Sequence, residues 1–474
     1  MSKFKLFIEN FLVYGLGGVI SKIIPLIMIP IITRLMPTTE YYGLSDLSNT
    51  VVSFASAMAV MGMYDAMYRM FFERDDEEYK KNICSTAFVF TTITSVIVFV
   101  VILLFKEQIA QAFFSNKEYA YIVYLSAMAT LVGATNSIIS APTRMQNKRK
   151  VFLITNTVSP LISYLVSIPM LLAGYYTIAL PLASVVSGAA MEITFGILNH
   201  SWFNPKRFDF ALLKQLLVIA IPLLPNFLIY WVFNSCDKVM ITNMIGIGAA
   251  GVYSVGSKLG HASQLIYTAF AGGWQFFAFS TMKEENQVKN NSLIFEYLGL
   301  ISFVATVFIC AWSYPIFKIL FTEQYLSGYI VAPYLFLAPL LQMLFQVACN
   351  QFLVVKKTWP NIIILSAGAV VNVVINFFLI PVLGIEGASL ATLLGYVISD
   401  IACVVVLYKM KLMVLERRFI WAVFGMVGYF IVWRLFISRE FLISTVFALL
   451  AMAYFAYLYK VELMKIVKVR KNEA

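Results

Sequence analysis

Only two histidines, His200 and His261, occur in 474 residues, and neither stands in an H-x-x-x-H or HExxH arrangement. The usual histidine-rich zinc sites are therefore excluded. The five cysteines, Cys84, Cys236, Cys310, Cys349 and Cys403, fall in or at the edge of apolar stretches without CxxC spacing. They read as small apolar fillers, with no disulfide framework and no metal site. GxxxxGK[ST] is absent, so no ATP site is visible, and no cofactor is expected. Charge is scarce as well: 12% of residues are charged, against about 25% in soluble domains. No loop is long enough to be a soluble domain. A membrane glycosyltransferase or polymerase should offer acids or a large outer loop with catalytic residues, whereas the outer loops here are short and nearly chargeless. The N-terminal MSKFKLFIEN has no A-x-A-like cleavage site and runs into an apolar stretch, so no removed signal peptide is read.

What the chain has in abundance is apolar surface: 61% hydrophobic residues and a mean hydropathy of +0.83. Runs of about 20 apolar residues recur along it, the length a helix needs to cross a bilayer. Fourteen spans are expected, near 11–33, 43–71, 84–105, 119–141, 151–173, 177–199, 213–243, 251–280, 292–315, 329–354, 359–381, 386–408, 419–437 and 441–459. The net charge of +11 suggests nucleic acid until topology is considered. With the N-terminus inside, 25 of the 35 basic residues lie in cytoplasmic segments. The outer segments hold five, Arg34, Lys106, Lys117, Lys318 and Arg439. That bias is the positive-inside pattern. It puts both termini inside and predicts no nucleic-acid partner. The remaining five, Lys22, Arg69, Lys238, Lys258 and Arg434, lie within spans.

The chain repeats itself at an offset of 208. Gly43 matches Gly251. Lys148 and Arg149 match Lys356 and Lys357. Glu192 matches Asp400, and ERDDEEYKK (73–81) matches MKEENQVKN (282–290) within a residue. Identity is low, but spans, loops and charges keep phase over about 200 residues. Six spans per repeat give both halves one orientation. The expected fold is all-α and polytopic: two six-helix bundles, related by a pseudo-two-fold along the membrane normal, plus two C-terminal helices. The domains read as 1–205, 206–410 and 411–474, the last ending in a basic tail.

Polar residues gather on single helix faces, which in a membrane points to a cavity. Asn226, Tyr230, Asn234 and Asp237 step along span 7, with Lys238 beside them. Ser254, Lys258, His261 and Gln264 step along span 8. Gln342, Gln346 and Asn350 do so in span 10, and Asn136, Ser140 and Arg144 in span 4. Asp65 and Arg69 form an i,i+4 pair. Asp237 and Lys258 come out at matching depth. A charge in hydrocarbon costs at least about 2.5–3.5 kcal/mol on insertion scales, so these positions read as a binding cavity. Lys22 lies near the middle of span 1, ahead of Pro25 and Pro30. Pro222 and Pro225 open span 7, and such breaks mark bending helices.

The segment DKVMITNMIGIGAAGVYSVGSKL (237–259) and its partner IPIITRLMPTTEYYGL (29–44) resemble polysaccharide flippases of the Wzx type, in the multidrug/oligosaccharidyl-lipid/polysaccharide (MOP) superfamily. Asp237–Lys238, Gly251, Tyr253 and Lys258 fit the one pattern; Arg34, Pro37, Glu40 and Gly43 fit the other. The resemblance covers nearly the whole chain. It implies a flippase, not an enzyme, that moves undecaprenyl-diphosphate-linked oligosaccharide to the outer leaflet of a bacterial inner membrane by alternating access. It implies as partners that lipid-linked glycan and the bilayer, and leaves open a coupling cation, H+ or Na+, and other polysaccharide assembly proteins. The cavity residues read from the polar faces and the charges inside spans suit such cargo: Lys22, Asp65, Arg69, Asn226, Tyr230, Asn234, Asp237, Lys238, Lys258, His261, Gln342 and Gln346. A lipid II flippase and a multidrug or cation antiporter are the alternatives within the superfamily. An oligosaccharide polymerase or ligase is the alternative outside it.

Overall fold

The computed structural model describes residues 22–268, 270, 274, 278, 284–357, 359–462 and 464, and among them no strand occurs. The first half of span 1, the end of span 8 and the basic tail lie outside the described residues. The chain divides into two compact units, Met1–Ser254 and Val255–Ala474.

In the first unit, helix α1 covers 22–35. Helices α2 (Thr39–Val60) and α3 (Met63–Phe71) meet at a bend of 47° and are together long and apolar enough for one span. The bend is at Met61–Gly62, where both residues have positive φ. Next come α4 (Glu77–Leu104), α5 (Lys106–Phe114), α6 (Ala120–Ile139), α7 (Ala141–Met145), α8 (Arg149–Leu172) and α9 (Ala179–Leu198). Asp76 caps α4, its carboxylate accepting from the Glu78 amide at 3.0 Å. After a loop come α10 (Phe210–Ala220), α11 (Leu224–Trp231), α12 (Asp237–Met244) and α13 (Ile247–Gly260), within which the first unit ends at Ser254. Asp209 caps α10 through the amides of Ala211 and Leu212. Pro222, in a 3-10 turn, and Pro225, at the start of α11, separate α10 from α11 as the sequence leads one to expect.

Lipid gives no hydrophobic drive for helices to associate, so close packing of small residues and cross-helix hydrogen bonds must do it. Ala59, Ala66, Ala87, Ala127, Ala134, Ser95 and Ser126 are completely buried, and the hydroxyls of Ser48 on α2 and Ser126 on α6 are 2.8 Å apart. One cluster joins Met63, Met67 and Met70 to Ile83, Ile138, Leu213 and Leu216. It ties α10 to α3 and α4, while α11 packs on α2 and α12 on α5. Residues 206–254 therefore belong to the first compact unit.

In the second unit, α14 (264–268) precedes α15 (Gln287–Leu320), α16 (Val331–Val354), α17 (Trp359–Leu383), α18 (Ile385–Lys409), α19 (Arg417–Val432) and α20 (Phe441–Leu458). Helix α16 is the centre, buried along nearly its whole length and packed on α15 and α18. The two extra helices are held by charge. Arg434 donates to both oxygens of buried Glu386 at 2.5 and 2.8 Å, and Tyr334 on α16 donates to the same carboxylate at 3.2 Å. Arg418 pairs with Glu296, Glu416 and Glu462 and lies 4.5 Å over the Tyr459 ring. Replacing Arg434 by Met is expected to cost about 1.5–3 kcal/mol, the usual worth of hydrogen bonds to a charged group. Thermal unfolding in detergent checks this, and adding Glu386→Gln should recover more than half of the loss.

Eleven described helices are long and apolar enough to cross a membrane, or twelve with the bent α2–α3 pair. They coincide with the expected spans apart from spans 1 and 8, which run into residues outside the described set. Exposed apolar side chains such as Leu165, Ile197, Phe378 and Leu442 suit contact with lipid. The two repeats end their fourth span alike. Asn147 and Lys356 each have positive φ, and each helix is closed by the same pair of bonds. These are Asn147 N to Arg144 O with Lys148 N to Thr143 O, and Lys356 N to Leu353 O with Lys357 N to Phe352 O.

Candidate functional site

The polar centre of the first unit is built on α2, α12 and α13. Asp46 of α2 is buried, and the Lys238 ammonium lies 2.5 Å from its Oδ2. Ser254 donates to the same oxygen at 2.8 Å. Asp237, also buried, accepts from the Tyr253 hydroxyl at 2.5 Å. Acid and base neighbours in sequence are thus satisfied by different helices. Such burial is tolerable only because each charge has hydrogen-bonded partners.

Backbone contact makes this possible. A Cβ on Gly43 would lie 3.0 Å from Gly251 N, and one on Gly251 would lie 3.1 Å from Gly43 N. The helices touch where neither has a side chain. Gly43 and Gly251, like Asp46 and Ser254, are separated by one repeat length. Contact between residues one repeat apart is what the pseudo-two-fold expected from the repeat would give. Further along, the Trp231 indole donates to the Thr50 carbonyl at 3.3 Å and the Ser53 hydroxyl at 3.1 Å. Its ring meets Phe54 edge-on at 5.0 Å. Asn243 donates to the Ala112 carbonyl at 2.9 Å and accepts from Ser115.

The expected single polar face of span 7 is not preserved. Residues Val232–Cys236 form a π turn, whose extra residue shifts the phase. Asn226 and Tyr230 are half-buried, Asn234 is exposed, and Asp237 is turned inward. The Asn234 amide donates to the Tyr230 carbonyl at 2.7 Å, next to the irregular turn. Asp65 and Arg69 are both exposed on α3, and among the described residues no hydrogen bond or ion pair joins them. The bend at Gly62 makes the helix that carries them a separate short element.

Lys22 is the first described residue and is exposed. In the second unit, Lys258 is exposed at the end of α13, and His261 Nδ1 lies 2.7 Å from the Ser257 carbonyl. The Gln346 amide donates to the Tyr267 hydroxyl at 2.5 Å, and Gln342 is half-buried one turn earlier. The repeat-related acids differ: Glu192 accepts from Thr135 at 2.9 Å, whereas Asp400 is buried and has no hydrogen-bonded oxygen among the described residues. Asp46 was absent from the expected cavity. The signal for it was the repeat, which pairs it with Ser254.

Among solved structures, the chain is similar to the lipid II flippase MurJ in an inward closed conformation. Identity is 15%, the TM-score is 0.71, and 95% of this chain and 100% of that one are covered. It is also similar to an inward-facing multidrug resistance MATE family transporter of the MOP superfamily, at 12% identity and TM-score 0.63 over 83% of this chain and 98% of that one. A MOP superfamily transporter from Pyrococcus furiosus aligns at 12% identity and TM-score 0.56, over 86% of this chain and 95% of that one. No curated protein sequence matches the chain. The fold expected from the repeat is thus the fold of these transporters. In sequence, the profile of the polysaccharide biosynthesis protein family matches residues 31–329, more than half the chain. That range takes in Asp46, Lys238, Gly251 and Ser254, and this multi-pass membrane protein belongs to the polysaccharide biosynthesis protein family.

Proposed function

We propose that the protein is a flippase for undecaprenyl-diphosphate-linked oligosaccharide units, working in a bacterial inner membrane with both termini cytoplasmic. Its product would feed assembly of a surface polysaccharide: O-antigen, capsule or exopolysaccharide. The observation that supports this most is the clasp of Asp46, Lys238 and Ser254 in a polysaccharide-biosynthesis chain with a transporter fold. A buried ion pair is weak evidence of stability but a good latch between two states of similar energy. On this reading the clasp and the Gly43–Gly251 contact close the outer end, and the lobes 1–205 and 206–410 part there to release cargo. Lys22, Arg69, Lys238 and Lys258 supply charge to a diphosphate. Asn226, Tyr230, Asn234, Gln342 and Gln346 meet sugar hydroxyls. A cation, H+ or Na+, would couple the cycle through the acids. No covalent step is assigned to any residue.

The test is complementation of a flippase-deficient strain. Asp237→Asn and Lys258→Ala should each abolish surface glycan while the protein stays in the membrane; normal export by both would overturn the site. Reconstituted vesicles distinguish the cargo. Protection of a lipid-linked oligosaccharide from an outside reagent is the expected result, with the substrate recovered chemically unchanged. A preference for lipid II would favour the second reading, which the likeness to the MurJ fold keeps in view.

A further inference from the structure

A second polar place in the first unit is untouched by the clasp. Asn136, Ser140 and Arg144, which step by four along span 4, all line one cavity of about 230 Å³. Thr155, Asn156 and Ser159 of α8 form its opposite wall, with Phe152 and Phe195 as ring faces. Drug-sized sites run from about 300 to 1,000 Å³, so the space suits one ring, not an oligosaccharide.

The cavity has unspent hydrogen-bonding capacity. Asn136 Oδ1 is buried and has no partner among the described residues. Asn156 gives its amide to the Phe152 carbonyl at 2.9 Å, which leaves its carbonyl oxygen as an acceptor. Arg144 is braced from two sides: one N–H reaches the Tyr64 hydroxyl at 3.1 Å, and the guanidinium lies 5.3 Å over the Phe152 ring. A guanidinium has five N–H donors, so most are left for a ligand. The lining contains one cation and no acid. Such a lining selects against positive ligands and for negative ones.

We infer that this cavity binds a single anionic sugar, a pyranose carrying a phosphate or a carboxylate. Arg144 takes the anion, Asn136, Asn156 and Ser159 take hydroxyls, and Phe152 and Phe195 cover the apolar ring faces. The inference rests on the flippase reading only for where such a sugar comes from. The phosphate would be that of the sugar–diphosphate junction, and the carboxylate that of a uronic acid within the repeat unit.

The experiment is ligand-observed saturation-transfer NMR on the full chain in nanodiscs, with glucose 1-phosphate, glucuronate and glucose as probes and inorganic phosphate as a competitor of the bound sugar. Saturable binding of glucose 1-phosphate or glucuronate is expected, with glucose and phosphate at least about tenfold weaker. The stronger of the two anionic sugars identifies the source. Arg144→Gln should weaken both at least about tenfold, and Arg144→Lys should restore part of the loss. Asn156→Leu keeps the cation but removes the acceptor oxygen and narrows the cavity, and is expected to weaken both sugars at least about tenfold; it serves if Arg144→Gln does not fold. Saturable binding unchanged in the Arg144→Gln or Asn156→Leu protein, glucose binding as well as glucose 1-phosphate, or no saturable signal from any probe would each overturn the inference. Binding is read without transport, so export lost through Asp46 or Lys238 leaves this result intact, and a negative result here leaves the flippase reading standing.

Discussion

Lys238→Met is expected to abolish export, and Asp46→Asn added to it is expected to restore part. The single change strands a buried carboxylate, 2.5 Å from the position the ammonium held. Losing one partner of a buried pair costs about 3–5 kcal/mol, or about a hundredfold or more in the balance between closed and open forms. A transporter must visit both, so a shift of that size stalls the cycle in one of them. The second change removes the stranded charge and keeps an oxygen for the Ser254 hydroxyl. Two readings check the result. Surface glycan reports export, and the accessibility of cysteines placed on α2 and α13 reports whether the helices have separated. Normal export by the single variant, with unchanged accessibility, would mean the pair is not a latch.

Gly251→Val is expected to have a comparable effect for a purely steric reason. The new side chain meets the Thr39 carbonyl carbon at 2.9 Å and the Gly43 amide nitrogen at 3.1 Å. Both are backbone atoms, so no rotamer change makes room; the helices must part. Gly248→Ala is the control on the same helix. Its Cβ would meet side-chain atoms of Thr39 and Glu40 at 3.1 and 3.4 Å, and those can turn aside. The valine variant should reach the membrane in normal amount yet lose at least about nine-tenths of its transport, while the alanine variant keeps most of it. Equal transport by the two in reconstituted vesicles would remove the close approach from the mechanism.

The helical plan was legible because lipid imposes a length and a polarity on every span. Each described helix that can cross a membrane falls on an apolar run visible in the chain, and the basic loops 148–150 and 356–357 close with the same turn. Lys238 was legible because a cation among apolar residues is conspicuous. Asp46 was not: it lies at the start of the expected span 43–71, beside Ser45 and Ser48 in YYGLSDLSN, and on none of the polar faces that the spacing drew. Asp237 was legible as an acid among apolar residues. The depth of the spans set Lys258 level with Asp237, and nothing in the spacing singled out the Tyr253 hydroxyl, sixteen residues on, which donates to it. The π turn at Val232–Cys236 has no residue code of its own. It broke a face that helical spacing had drawn as continuous. Arg434, noted only as a charge inside a span, lies in a second π turn, Trp433–Ile437, and is used to hold Glu386.

The contact between Asp46 and Ser254 has a consequence for how such a chain could arise. On a two-fold axis, a residue faces its own copy. In a dimer of identical half-length subunits, two glycines can meet there, as Gly43 and Gly251 still do. An aspartate cannot do the same without bringing two carboxylates together, which repel. Joining the halves in one polypeptide frees the two sides to differ. One keeps the acid and the other supplies a hydroxyl, while the cation comes from Lys238, whose counterpart one repeat earlier is Pro30. The charge pair is therefore an asymmetry that two identical halves cannot encode. A symmetric dimer rebuilt from either half would have the glycine contact and lack the charge pair.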